Sequence, residues 1–426
     1  MIDLAEAVKR LTAERFTEEF HGHDLFRQTV RKNFVRIAFI TACLEPGRDG
    51  VGDYSRTLAR HCADQGHDCS LLALNDHAAG TDVSGDVHEM RVTGALHWRE
   101  KIARAEEFLN ARRPDWISLQ FVLYGWNPRG LITGLDRCLK KVIGERRLHV
   151  MLHELWIGNH KKASIKERLI GGAQKYCLLN LLAQLKPDVV HTSIPHYVDL
   201  LERSKVSARK LPLFGNIPVE PDVDCAWMYA ELQRAGIPIT EETRGKYWIA
   251  GLFGSLHPNW PPEPLLTRLR ATAREMNRRL VIVSIGRMGP GGELWRRLSE
   301  LHGTEVTFIA LGERPTSSIS SFLQSIDFGI AGTPFTIIEK SGSATAMLEH
   351  GCPVIVNWID PHEVRREAHD SLLHELNSNL DFRDLKRRSP NPRLPAVTQQ
   401  FLQSLSKTPT EIPQFSHEEH PVHTAR

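Results

Sequence analysis

No stretch of the 426-residue chain approaches the roughly 18 consecutive apolar residues that a membrane-spanning helix needs. The N-terminal stretch MIDLAEAVKRLTAERF alternates charged and apolar residues at helical spacing. It lacks the apolar core that follows a basic start in a secretory leader, so the cytoplasm is the expected location. No C-x-x-C pair occurs among the seven cysteines, at positions 43, 62, 69, 138, 177, 225 and 352. With an odd count as well, neither a disulfide framework nor a spaced zinc site is expected. Charge of one sign is also lacking: the net formal charge is +3, too near balance for nucleic acid as the main partner. The run Lys386, Arg387, Arg388 reads as a solvated face.

What is present is globular composition, 41% hydrophobic and 25% charged, arranged as short β-rich runs between helical segments. Residues 1–34 read as a helical extension. Residues 35–40 (VRIAFI), 69–74 (CSLLAL), 116–121 (WISLQF), 148–152 (LHVML) and 189–192 (VVHT) read as buried strands. A second series follows at 247–253, 280–284, 306–309, 328–330 and 353–356. Parallel strands require crossovers, and helical segments such as AQKYCLLNLLAQL lie between the runs. The expectation is an α/β chain with two Rossmann-like domains, 35–217 and 218–390. Turn residues collect at the boundary, 215–221. Residues 391–426 read as one helix and a tail of disordered composition.

In open α/β sheets, ligands bind at the carboxyl ends of strands. The loop after the first strand carries Gly47, Gly50 and Gly52, with Asp53 beside them. It is neither a Walker loop nor G-x-G-x-x-G, and a plain glycine turn is the bland alternative. Gln120 and Tyr124 follow the third strand; His153 and Glu154 follow the fourth. Aromatic groups among polar ones suit a sugar, with its apolar ring faces and hydroxylated rim. The richest segment is IEKSGSATAMLEHGCP, 338–353. Small residues at Ser341, Gly342 and Ser343 leave a helix start open to an anion, with Lys340 adding charge and Glu339 able to hold hydroxyls.

Together these segments resemble the GT-B fold glycosyltransferases, closest to family 4 and its relatives, over about 35–356. The pieces that carry the likeness are GVGDYSRTLARHCADQGHDCSLLAL, VIVSIGRMGPGGELWRRL, VTFIALGERPTSSISSFLQSIDFGIAGTP and, most specifically, EKSGSATAMLEHGCPVIV. The resemblance implies two facing domains with a cleft between them. It implies a nucleotide-sugar donor on the C-terminal domain, bound by Gly254, Ser255, Arg287, Ser341, Gly342 and Ser343. It places an unnamed acceptor, saccharide, lipid-linked or small, on the N-terminal domain near Gly50, Gly52, Gln120, Tyr124 and Glu154. His153, Lys340, Glu339 and Asp53 are the expected catalytic residues. Retention is favoured; under inversion Asp53 or His153 would be the base. No cofactor and no metal are expected, and the triplet Asp222, Val223, Asp224 in the linker reads as chance. A lipid-linked acceptor would bring the enzyme to a membrane surface.

Two departures stand out. Of the family's two spaced glutamates, Glu339 approximates the first and Ala346 occupies the second; Glu349 is off register. The family's arginine and lysine after the first donor-domain strand are absent from 254–260, leaving Lys340 or Arg287 to supply the charge. Alternatives on the same fold are an epimerase, a phosphorylase or a non-catalytic binding protein.

Overall fold

The computed structural model describes residues 34–84, 86–159, 163–359 and 370–406. The expected N-terminal helix and the tail beyond 406 lie outside the described residues. The N-terminal sheet comprises β1 (Arg36–Thr41), β2 (Asp68–Asp76), β3 (Gly80–Ser84), β4 (Val87–Thr93), β5 (Trp116–Phe121), β6 (Arg147–Leu152), β7 (Val189–Thr192) and β8 (Arg209–Lys210). Their order is β3-β4-β2-β1-β5-β6-β7-β8, parallel except for the β3–β4 pair. Helix α1 (Gly50–Asp64) connects β1 to β2, and α2 (Trp98–Arg112) connects β4 to β5. Helices α3 (Leu123–Trp126) and α4 (Leu135–Ile143) precede β6, and α5 (Ile165–Leu185) precedes β7. Helix α6 (Pro195–Glu202) leads to β8.

The second sheet contains β9 (Tyr247–Phe253), β10 (Arg279–Ile285), β11 (Thr307–Ala310), β12 (Phe328–Ala331), β13 (Val354–Val356) and β14 (Leu373–Glu375). Its order, β11-β10-β9-β12-β13-β14, is fully parallel and doubly wound. Its helices are α7 (Ala226–Arg234), α8 (Glu263–Glu275), α9 (Gly292–His302), α10 (Thr316–Ser325) and α11 (Gly342–Glu349). A final helix, α12 (Leu394–Ser406), closes the described chain.

Both sheets are covered on both faces, and side chains alternate between them. In β9 and β10, Ile249, Val281 and Val283 face one core, while Trp248, Ala250, Leu280 and Ile282 face the other. In the N-terminal sheet Ile117, Leu119, Leu148 and Val150 pack under one layer of helices. The opposite face holds Ile37, Phe39 and Leu71 beneath α1 and α12. The chain passes between domains at Gly215: Phe214 belongs to the N-terminal core and Ile217 to the C-terminal one. A Cβ at Gly215 would lie 2.9 Å from the Ala346 Cα, so the crossing requires glycine.

The helix expected within 391–426 is α12, and it returns to the first domain, burying Val397, Phe401 and Leu405 in that core. Phe401 lies 5.7 Å from Phe39, centroid to centroid. Glu349, at the end of α11, accepts hydrogen bonds from the backbone of Gly215 and Arg393 and so clasps both crossings.

Candidate functional site

Sheet order reverses at β1/β5 in one domain and at β9/β12 in the other, which places the crevices at the loops following those strands. Two cavities are found there. A large one, about 1090 Å³, runs between the domains. Tyr124, Glu154, Trp156, Tyr197 and Lys210 line it from one side; Phe335, Ile338, Glu339, Lys340 and Trp358 line it from the other. A small one, about 200 Å³, lies within the C-terminal domain between β9, β12 and the start of α11.

The small pocket is built from short residues. Ser341 caps α11 by accepting the Ala344 N–H. The N–H groups of Gly342 and Ser343 have no acceptor among the described residues. Gly254 adopts φ +78°, and a Cβ there would come within 2.7 Å of Ser343 Oγ. Backbone and hydroxyl groups of Ser255, Thr333, Ser341, Gly342 and Ser343 therefore converge on a space sized for a small anion. No lysine or arginine lines it.

Lys340 reaches the large cavity, but its ammonium faces the other domain rather than the helix start. Its Nζ donates to Glu154 at 2.9 Å and to the Tyr197 hydroxyl at 3.4 Å. Burial opposes that charge, but Tyr197 and Glu154 outweigh burial and leave its pKa raised. Glu339 is likewise paired across the cleft, accepting from Lys210 Nζ at 2.9 Å. Two ion pairs thus join the walls of the cavity. Arg287 lies in neither cavity; it is half exposed and pairs with Glu313 at 2.7 Å.

The glycine loop after β1 is closed upon itself. Asp53 accepts the Gly47 N–H and lies 3.6 Å from Arg56, while Asp49 accepts the Gly52 N–H at 2.6 Å. Burial raises the pKa of both carboxyls. A Cβ at Gly52 would meet the Cys43 carbonyl at 2.7 Å, whereas one at Gly50 meets nothing. None of Gly50, Gly52 and Asp53 lines either cavity.

Gln120 and His153 belong to a hydrogen-bond chain running through β5, β6 and β7. His153 Nε2 donates to Gln120 Oε1 at 2.9 Å, and Gln120 Nε2 donates to Ser118 Oγ at 2.8 Å. Ser118 Oγ in turn lies 2.8 Å from His149 Nδ1, and His149 Nε2 lies 3.0 Å from His191 Nδ1. This arrangement fixes the proton of His153 on Nε2 and leaves Nδ1 free to accept. Burial pushes all three imidazoles toward the neutral form: His153 to about 3, His191 to about 4, His149 well below its ordinary value. Tyr54 packs edge-on against His153 at 4.9 Å.

Sequence reading missed Lys210 and Tyr197 as cleft residues, along with the chain beyond Gln120. Only the chain left a trace, since Ser118, His149 and His191 are polar residues inside strands that otherwise read as buried.

No family model and no curated protein sequence matches the chain. Solved structures do. HepE of Anabaena, solved with UDP and glucose, aligns over 88% of this chain and 100% of its own at 13% identity, TM-score 0.54. This is the GT-B fold. WaaG, described as a glycosyltransferase involved in lipopolysaccharide biosynthesis, aligns over 88% of this chain and 91% of its own at 14% identity, TM-score 0.48. The catalytic domain of starch synthase IV of Arabidopsis thaliana, bound to ADP and acarbose, covers 88% and 96% at 12% identity, TM-score 0.46. Two facing Rossmann-like sheets with a cleft between them make this a GT-B molecule.

Proposed function

We propose that this GT-B protein is a glycosyltransferase, moving a sugar from a nucleotide-diphosphate sugar to an acceptor held in the interdomain cavity. The observation that carries the reading is the small pocket at the start of α11, where free Gly342 and Ser343 N–H groups meet Gly254 at the carboxyl edge of the sheet. A diphosphate accepts such N–H groups, and the helix dipole stabilises the charge that builds on it as the glycosidic bond breaks. The large cavity, with Trp156, Tyr197 and Tyr124 beside Glu154 and Glu339, offers apolar faces and acceptors suited to sugars.

The reading includes metal-independent donor binding, because backbone N–H groups can take the role of a cation. It includes retention: Asp53 is engaged with Gly47 and Arg56, and neither Asp53 nor His153 lines the cavity. For Lys340 to serve the diphosphate, its ion pair with Glu154 across the cleft must first break. A second reading, donor binding without transfer, is favoured by the absence of lysine and arginine from the small pocket.

The test is a thermal-shift screen against UDP-, GDP-, ADP- and TDP-sugars, with Mg²⁺ and with EDTA. One nucleotide should raise Tm in both conditions, because a ligand of the folded state stabilises it by mass action. No shift from any of them would overturn the donor assignment. A shift without turnover across an acceptor panel would favour the binding reading. The product anomer, read by NMR, decides retention.

A further inference from the structure

The loops after β1 and β2 bring together three side chains of different chemistry. Cys43 Sγ lies 3.9 Å from His77 Nδ1, and His77 Nδ1 lies 2.9 Å from Glu45 Oε2. All three donor atoms are within 4.8 Å of one another. We propose that Cys43, Glu45 and His77 form a binding site for a borderline divalent cation, Zn²⁺ foremost, with one coordination position left open.

The donor set argues for this class of ion. Thiolate, imidazole and carboxylate together suit zinc and its neighbours, whereas magnesium and calcium take oxygen. The spacing argues for it as well. In a tetrahedral zinc site with Zn–S about 2.3 Å and Zn–N and Zn–O about 2.0–2.1 Å, the S···N edge is about 3.6 Å and the N···O edge about 3.3 Å. The observed edges of 3.9 Å and 2.9 Å each differ from these by about 0.4 Å or less. The adjustment falls on His77, whose side chain is 79% exposed and free to turn, while Cys43 is buried and fixed. The Glu45 N–H donates to Cys43 Sγ at 3.3 Å, the outer-sphere contact that steadies a metal-bound thiolate.

The cation would join the end of β2 to the loop that opens α1. The Glu45 carbonyl already accepts the Arg48 and Asp49 N–H groups, and Asp49 caps α1. Fixing Glu45 therefore fixes the start of the glycine loop. The site lies in the other domain from the small anion pocket, so it is compatible with donor binding that needs no metal. It does not depend on the transferase reading, because binding of the ion is measured without substrate.

The test uses the full chain, reduced and stripped of metal, titrated with Co²⁺. One equivalent should bind, with a thiolate-to-cobalt charge-transfer band and the strong visible absorption of four-coordinate cobalt, both abolished by Zn²⁺. Cys43→Ser should lose the charge-transfer band, and His77→Gln should weaken binding at least tenfold. Cys225→Ser, in the other domain, should change neither. Absence of the band in the wild-type protein overturns the proposal, as does a band that survives in Cys43→Ser. If Cys43→Ser does not fold, the exposed His77→Gln decides, since unchanged affinity there also overturns the site.

Discussion

The two domains use one pattern, strand then glycine loop then helix, for opposite ends. After β1, the loop's N–H groups turn inward: Asp49 and Asp53 accept from Gly52 and Gly47, and Gly52 is required by the Cys43 carbonyl. After β9, Gly254 approaches the start of α11, where no carboxylate stands and the Gly342 and Ser343 N–H groups are left without acceptors. Glycine content does not distinguish the two; the carboxylates beside the glycines do. A negatively charged loop completes itself, and a neutral one remains available to an anion. The sheets differ in the same sense. The N-terminal sheet buries a chain of ionisable side chains, whereas β9, β10, β11, β12 and β13 hold no histidine.

The largest effect should come from acid. In the unfolded chain each histidine titrates near its ordinary value of about 6.5, above the folded values of His153 and His191. The unfolded state therefore binds more protons, and stability must rise with pH in that interval. The contribution is fully present above about 6.5 and is lost as pH falls below it. By pH 5 each of the two should cost about 2 kcal/mol. Urea denaturation at pH 7 and pH 5 measures the loss. His153→Gln and His191→Gln should each flatten the dependence. An unchanged slope in both would place the proton uptake elsewhere, with His149 of the same hydrogen-bond chain and buried His350 of the C-terminal domain the next candidates.

The closed loop predicts the next effect. Gly52→Ala drives a methyl into the Cys43 backbone carbonyl, which cannot move without shifting the end of β1. A loss of about 2 kcal/mol is expected, the usual scale for overpacking. Gly50→Ala, in open space at the first helical position, should be neutral or stabilising by up to about 1 kcal/mol. Equal losses at both positions would mean that the loop is not closed in the way described.

Much of the fold is legible in the sequence. The central strands of both sheets are, because short apolar runs between turn residues have few other readings. The strands missed were β3, β4, β8 and β14, at or next to the sheet edges, where polar residues mix with apolar ones. The apolar stripe Val397, Phe401, Leu405 announces that α12 is buried, but nothing local says that it packs on the first domain. The same limit hid the partners of the site residues. Lys340 and Glu154 are 186 positions apart, Lys210 and Glu339 129, and charge alone names no partner at such distance. Cys43, Glu45 and His77 have no recognisable spacing, since two strands and a helix decide that they meet.

A smaller loss of stability than that of Gly52→Ala, and the sharpest effect on function, belong to the open loop. Gly254→Ala places a methyl against Ser343 Oγ, a hydroxyl that can rotate away, at a φ that costs about 1–2 kcal/mol for a residue with a Cβ. Part of that cost is recovered from the unfolded chain, so Tm should fall by only a few degrees. The methyl nevertheless presses on Ser343, one of the residues that line the small pocket. Affinity for the nucleotide sugar that stabilises the wild-type protein should drop at least tenfold, about 1.4 kcal/mol. Gly52→Ala should show the reverse, a larger loss of stability with donor affinity intact. If both substitutions weaken the donor equally, the two loops share one ligand across the cleft, and the contrast between a closed and an open glycine loop no longer holds.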